Sequence, residues 1–302
     1  MEENFQNIQN NGGEQMDNGI VKRQNEEKYI YHLAAQRQLY NEAKRLNNIS
    51  IFFSVFVPAF FAVLSSIMNN NVYLIAISFV VATIIIIISP KISSSIEYKR
   101  ERAAEIQQHF DLYVYQMPWD DKLFGLKRDV SNVIAEKSKL LVKSAKEREK
   151  LANWYTVIAG TVNLEKGILM CQKENYNWDV GLRKRFRRLC IIIMFILIIL
   201  ILLIGIVKNE KIVILLSRIY LIVPIFQWLY ETIGELNKNI KNLEELDKLI
   251  NSLEPKNMDK LQKIQSEIYN HRKSCYIIPN IVYNKYKNND EDVAHRTASM
   301  DK

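Results

Sequence analysis

Four runs of apolar residues govern what this chain can become. Residues 49–68, 72–89 and 189–207 carry no charge, and 212–233 is interrupted only by Arg218, Gln227 and Glu231. A helix that crosses the hydrocarbon of a bilayer needs roughly 20 apolar residues, and each run is long enough. A helix of a soluble core is apolar along one stripe, whereas 189–207 is apolar all round. The first run begins too far into the chain to be a secretory signal. A mean hydropathy of −0.12 describes neither material here, because it averages hydrocarbon-like runs with a charged remainder.

The runs form two hairpins, with Asn69, Asn70 and Asn71 in the first turn and Lys208, Asn209, Glu210 and Lys211 in the second. Basic residues orient them, since cytoplasmic flanks carry the excess of Lys and Arg. Lys44 and Arg45 precede the first run, Lys91, Lys99, Arg100 and Arg102 follow the second, and Arg183, Lys184, Arg185, Arg187 and Arg188 precede the third. Much of the +8 net charge is thus an orientation signal, and DNA is not an expected partner. The expected fold is all-α: a four-helix transmembrane bundle, with a helical cytosolic domain between spans 2 and 3 and a C-terminal cytosolic helical hairpin. Both termini face the cytoplasm of a bacterial inner membrane.

The predicted organisation is a disordered tail over 1–27, a lead-in helix over 28–48 and a first hairpin over 49–89. A cytosolic domain over 90–188, a second hairpin over 189–233, C-terminal helices over 234–287 and a polar tail over 288–302 follow. The Asn, Gln and Gly content of the first 27 residues argues against a core there. Helix is expected to stop at Met117-Pro118-Trp119, because proline disfavours helix before it. Leu126, Val130, Val133, Leu140, Leu141, Leu151 and Tyr155 suggest a self-packed helical hairpin. A heptad-like stripe, Leu236, Ile240, Leu243, Leu246, Ile250 and Leu253, ends at Glu254-Pro255; it would serve an intermolecular contact or pack on the 126–155 hairpin.

Catalytic signatures are missing. No glycine loop suited to phosphate and no HExxH or GxSxG pattern occurs, and Cys171, Cys190 and Cys275 match no metal or redox spacing. Asp120-Asp121 and Glu244-Glu245 sit among solvated charges. Neither an enzyme nor a cofactor or metal site is expected.

Polar residues inside a membrane span are the default functional candidates. Ser217, Tyr220, Pro224, Gln227 and Glu231 fall on one face of the fourth run, and Ser50, Ser54, Pro58, Ala62 and Ser65 form a small-residue stripe on the first. Two readings stand: packing within one four-helix unit, or lining an aqueous path in a homo-oligomer. The third run has no such face and is expected outermost. Arg218 lies about two turns from Lys211, close enough to snorkel to the outer headgroups.

The most distinctive segment precedes the third run. Its five basic residues would meet anionic lipid phosphates at about 1 kcal/mol each. Alternatively Lys173, Arg183, Lys184, Arg185, Arg187 and Arg188 would hold a phosphate-bearing ligand, with Tyr176 or Trp178 stacked on a base. Neither accounts for Cys171, Gln172, Asn175, Trp178, Asp179, Leu182 and Arg183, a Cys-Gln-x-x-Asn-x-x-Trp-Asp-x-x-Leu-Arg pattern.

That pattern, with Met117-Pro118-Trp119 and the run from Leu261 through Glu267 and Arg272 to Ser274 before Ile278-Pro279, resembles the SMODS-associated four-transmembrane (S-4TM) effector family over about residues 28–286. The resemblance implies a membrane effector of CBASS-type antiphage defence. A neighbouring nucleotidyltransferase would supply a cyclic oligonucleotide, and the effector would permeabilise the inner membrane and abort infection. A non-conducting scaffold that recruits a partner through the 236–253 heptads is the alternative.

Overall fold

A computed structural model describes residues 17–67, 72–207, 209, 211–252 and 257–285. All regular structure among them is helical. In chain order these are α1 (Ile20–Gln24), α2 (Glu27–Ile51), a π-helical turn (Phe52–Phe56), α3 (Val57–Ile67) and α4 (Val72–Val114). Four short helices follow, α5 (Asp121–Phe124), α6 (Ser131–Lys137), α7 (Lys139–Val142) and α8 (Ala145–Glu149), then a 3-10 turn (Val157–Thr161). The chain continues through α9 (Leu164–Val207), α10 (Ile212–Asn251) and α11 (Met258–Ser274).

Among the described residues two helices, α4 and α9, rather than the expected four, are long and apolar enough to cross a membrane. The first apolar run is divided between α2, the π turn and α3, and the fourth lies inside α10. The apolar halves do not end where the charges begin. Helix α4 passes through Pro90 into a polar half, and α9 and α10 are likewise unbroken from the apolar half into the head. The Ser89 hydroxyl donates to the Ile85 carbonyl at 2.8 Å, just before Pro90 removes a backbone donor.

The head is built on α2 packed antiparallel to α4. Ala35 and Leu39 meet Ala103 and Ile106, all at most 1% exposed, so the two backbones approach closely. Helix α4 ends as the Met117-Pro118 break predicts. Gln116 turns left-handed at φ 56°, its N–H donates to Tyr113 O at 3.1 Å, and Met117 N–H donates to Leu112 O at 2.9 Å. These are the paired bonds of a Schellman stop. Helix α11 opens on an Asn257 cap, whose side chain accepts from Lys260 N–H at 3.2 Å, and closes on His271, Arg272 and Lys273.

Two expectations fail. Residues 17–27 are not a disordered tail. Asn18 Nδ2 donates to the Ala159 and Val162 carbonyls at 2.6 and 2.9 Å, and Ile20 is fully buried. Gln24 exchanges two bonds with the Tyr155 backbone, and Arg23 Nε donates to Val114 O at 2.8 Å. Polar side chains satisfying backbone groups replace the apolar core that the composition lacks. Nor is 126–155 a helical hairpin: it is α6, α7, α8 and connecting turns, with Leu126 and Leu140 largely exposed. Ser144 caps α8 and Asn153 has φ 50°, so the apolar spacing is shared among several elements.

The 236–250 stripe is buried against α9 and α11, with Leu243, Leu246 and Ile250 in one apolar core with Leu151 and Tyr155 of the 126–155 segment. Leu253, Glu254-Pro255, residues 1–16, the 69–71 turn and the 288–302 tail lie outside the described residues. The most apolar stretch of α4 holds no buried residue and that of α9 almost none, so the third run is not set apart from the second as outermost.

Candidate functional site

Positions 171, 172, 175, 178, 179, 182 and 183 repeat at helical spacing and occupy one face of α9. That face looks inward. Cys171 and Gln172 are fully buried, and Leu182 and Arg183 nearly so. Gln172 Nε2 donates to Leu261 O at 2.9 Å and to Gln265 Oε1 at 3.3 Å. Asn175 Nδ2 donates to the Tyr155 hydroxyl at 3.0 Å. Asp179 Oδ2 accepts from Arg183 Nε at 2.9 Å and from His271 Nε2 at 2.5 Å. Arg183 Nη1 continues to Asn239 Oδ1 at 3.0 Å and Tyr276 O at 3.1 Å.

A second buried carboxylate completes this fastening. Asp111 Oδ1 accepts from the Tyr155 hydroxyl at 2.6 Å, while Oδ2 accepts from Gln265 Nε2 at 2.9 Å and Arg272 Nη1 at 2.5 Å. Arg100, also on α4, donates to the Lys273 and Cys275 carbonyls at 2.6 and 3.1 Å. Helix α11 is therefore tied to the polar halves of α4 and α9, and the chain just beyond it to α10 through Asn239.

The electrostatics agree with a structural role. Burial alone would raise the Asp179 carboxyl, but the Arg183 charge and the bonds from His271 and Arg183 outweigh it and hold it well below the usual carboxylate range. Arg183 and Arg272 lose solvation, yet Asp179 and Asp111 respectively keep them firmly charged. Burial pushes the Cys171 thiol far up, which leaves it an unreactive packing residue. Among the described residues no group of three His, Cys, Asp or Glu is placed to hold a metal.

The expected phosphate contacts are dispersed. Arg183 is 3% exposed and its donors are committed to protein acceptors, so it cannot meet a phosphate without unpairing Asp179. Lys184 pairs with Glu244 at 2.9 Å and Arg187 donates to Asn237 at 3.0 Å, both fastening α9 to α10. Trp178 packs in the cluster around Leu182 and Phe186 and presents an edge to Tyr283 at 5.5 Å. Tyr176 packs against the main core. Lys173 and Arg185 are half-buried and have contacts of their own, and Arg188 is exposed.

Of the two stripes, the described part points outward. Val55, Leu229, Thr232 and Leu236 are the buried residues of their helices there. Ser54, Gln227 and Glu231 are exposed, and Gln227 Nε2 donates to Glu231 Oε1 at 2.9 Å. Packing inside one chain thus does not account for Gln227 and Glu231. Ser50, Pro58 and Pro224 are half-buried; the side chains of Ala62, Ser65, Ser217, Arg218 and Tyr220 lie outside the described ones. Where α2 meets the π turn, a cleft of about 840 Å³ is lined by Arg45, Asn48, Phe52, Phe53 and Tyr283, with the Lys44 ammonium 3.7 Å from the Tyr283 ring centre.

The family model for the SMODS-associating 4TM effector domain matches residues 18–300. The chain belongs to that family. The match begins at Asn18, the residue whose side chain seats the N-terminal segment on the head. The chain is also 23% identical over 239 residues to a protein of Bacillus cereus (strain VD146) described as a probable CBASS effector molecule, covering 75% of this chain and 77% of that one. No solved structure matches. Sequence reasoning on this S-4TM chain missed Asn18, Gln24, Asp111, Asn239 and Gln265 as fastening residues, because lone polar positions carry no periodic signal.

Proposed function

We propose that this chain is the membrane effector of a CBASS-type antiphage system, with all four apolar runs spanning the inner membrane and both termini in the cytoplasm. On this reading it oligomerises and permeabilises the membrane when a cyclic oligonucleotide arrives from a neighbouring nucleotidyltransferase. The observation that carries the reading is the unbroken passage of α4, α9 and α10 from apolar halves into a head locked by α11. A rigid head joined to its spans without a hinge loop transmits any change in head packing into the bilayer. The outward pair Gln227–Glu231 supports a polar face that meets another protomer or water rather than its own chain. Arg185 and Arg188 then lie at the cytoplasmic headgroups, facing lipid phosphate.

A scaffold that recruits partners through the 236–250 stripe fits poorly, because that stripe is already buried within the chain. Reconstitution in dye-loaded liposomes separates the two. A ligand-gated effector releases dye on addition of the matching cyclic oligonucleotide; dye that stays trapped with every such compound refutes permeabilisation.

A further inference from the structure

Away from the apolar halves, α2 and the α6–α7 segment flank an open groove of about 550 Å³. Pockets for small ligands typically span roughly 300–1,000 Å³. Ile134, Ala135 and Val142 give its lining an apolar part, and Lys28, Lys139 and Lys143 add three cations. No carboxylate is among its lining residues. The next lysine, Lys137, shows the contrast, since Glu42 and Glu136 each accept from it at 3.1 Å. Cations gathered beside apolar side chains, with no carboxylate in the lining itself, favour an anion that also has a flat apolar body.

Two rings contribute to the wall. The Tyr31 hydroxyl is turned to Glu27 at 3.1 Å. His32 Nδ1 bonds the Lys28 carbonyl at 2.9 Å, so Nδ1 carries the proton, and burial lowers the ring's pKa. His32 is thus neutral near pH 7 with Nε2 as an acceptor, suited to a base edge rather than a phosphate.

We propose that this groove is the site at which the head takes up its nucleotide, with the three lysines on the phosphodiesters and the Tyr31 wall against a base. This rests on the reading of the chain as a cyclic-oligonucleotide effector and moves the sensing site from the juxtamembrane arginines to the far end of α2. Closing α6 and α7 onto a ligand presses them against the helix that leads through the π turn into the first apolar run.

The test uses the full chain in nanodiscs, titrated calorimetrically with a panel of synthetic cyclic di- and trinucleotides. At least one should bind. Binding should weaken by about tenfold or more in K139E/K143E, survive within about threefold in K139R/K143R, and stay unchanged in R185E/R188E. Equal binding by wild type and K139E/K143E overturns the groove while sparing nucleotide sensing. No binding by the wild type overturns both. Loss in R185E/R188E but not in K139E/K143E returns the site to the membrane edge.

Discussion

Asp111 on α4 and Arg272 on α11 lie 161 positions apart, yet their side chains meet at 2.5 Å inside the head. The carboxylate has no exposed surface and takes two further bonds, from Tyr155 and Gln265. A carboxylate so placed fixes the position of α11, since any shift of that helix would strand a buried charge.

Removing one member of a buried pair typically costs about 3–5 kcal/mol. Arg272→Met should therefore lower the unfolding temperature of the detergent-solubilised protein sharply. Adding Asp111→Leu to Arg272→Met should recover part of the loss, because the uncompensated charge is gone. Equal stability of wild type and Arg272→Met would contradict the fastening role.

Arg183→Met should destabilise the head whether or not nucleotide is present, since its partners are protein groups on α9, α10 and the chain after α11. Thermal unfolding with and without ligand distinguishes this from a phosphate contact, whose loss would remove only the ligand-dependent stabilisation.

Stability should fall with acid in two stages. Burial, Lys127 and His32 lower the His109 pKa to about 4, against about 6.5 when unfolded. The unfolded state thus takes up that proton first, and stability declines from about pH 6.5 towards 4. Asp179 has a depressed folded pKa, so its contribution is complete above its unfolded value of about 3.9 and drains away below it. His109→Phe should weaken the first stage, to which buried His32 also contributes, and Asp179→Asn the second, in unfolding temperatures measured from pH 7 to 3.

Two glycines of α9 should respond oppositely to alanine. A Cβ at Gly181 meets nothing within 4 Å, so Gly181→Ala should gain roughly 0.5–1 kcal/mol in helix propensity. At Gly167 a Cβ would collide with the Ala159 carbonyl oxygen and lie 2.7 Å from Asn18 Nδ2. Gly167→Ala should lose stability and free residues 17–24, seen as faster hydrogen exchange there.

Gln227→Leu with Glu231→Leu should preserve the folded head, because both side chains lie on the open surface. If the stripe lines a conducting path, the same variant should abolish ligand-triggered dye release. Unchanged release would place the path elsewhere.

Periodic features of the fold were legible in the sequence and isolated ones were not. The apolar runs, the α4 stop at Met117-Pro118 and the 236–250 stripe repeat or punctuate in ways that local physics dictates. Asn18, Gln24 and Asp111 act singly across distances of 131 to 161 positions, and only the closed fold pairs them. The motif of α9 drew notice as a pattern, but its face was ambiguous: basic residues between its members suggested a ligand, while the members themselves point into the core. Arg183 belonged to both sets, and burial decides for the core.

Helix α11 follows all four apolar runs in the chain, yet it supplies the partners of Asp111, Gln172 and Asp179. During synthesis Asp111 waits for its cation and Gln172 for its acceptors until α11 is made, while Asp179 has only Arg183 of its own helix. The apolar runs are translated before α11 can lock the head. Assembly of the head is therefore a late step, and it sets the moment at which the protein comes under its own restraint.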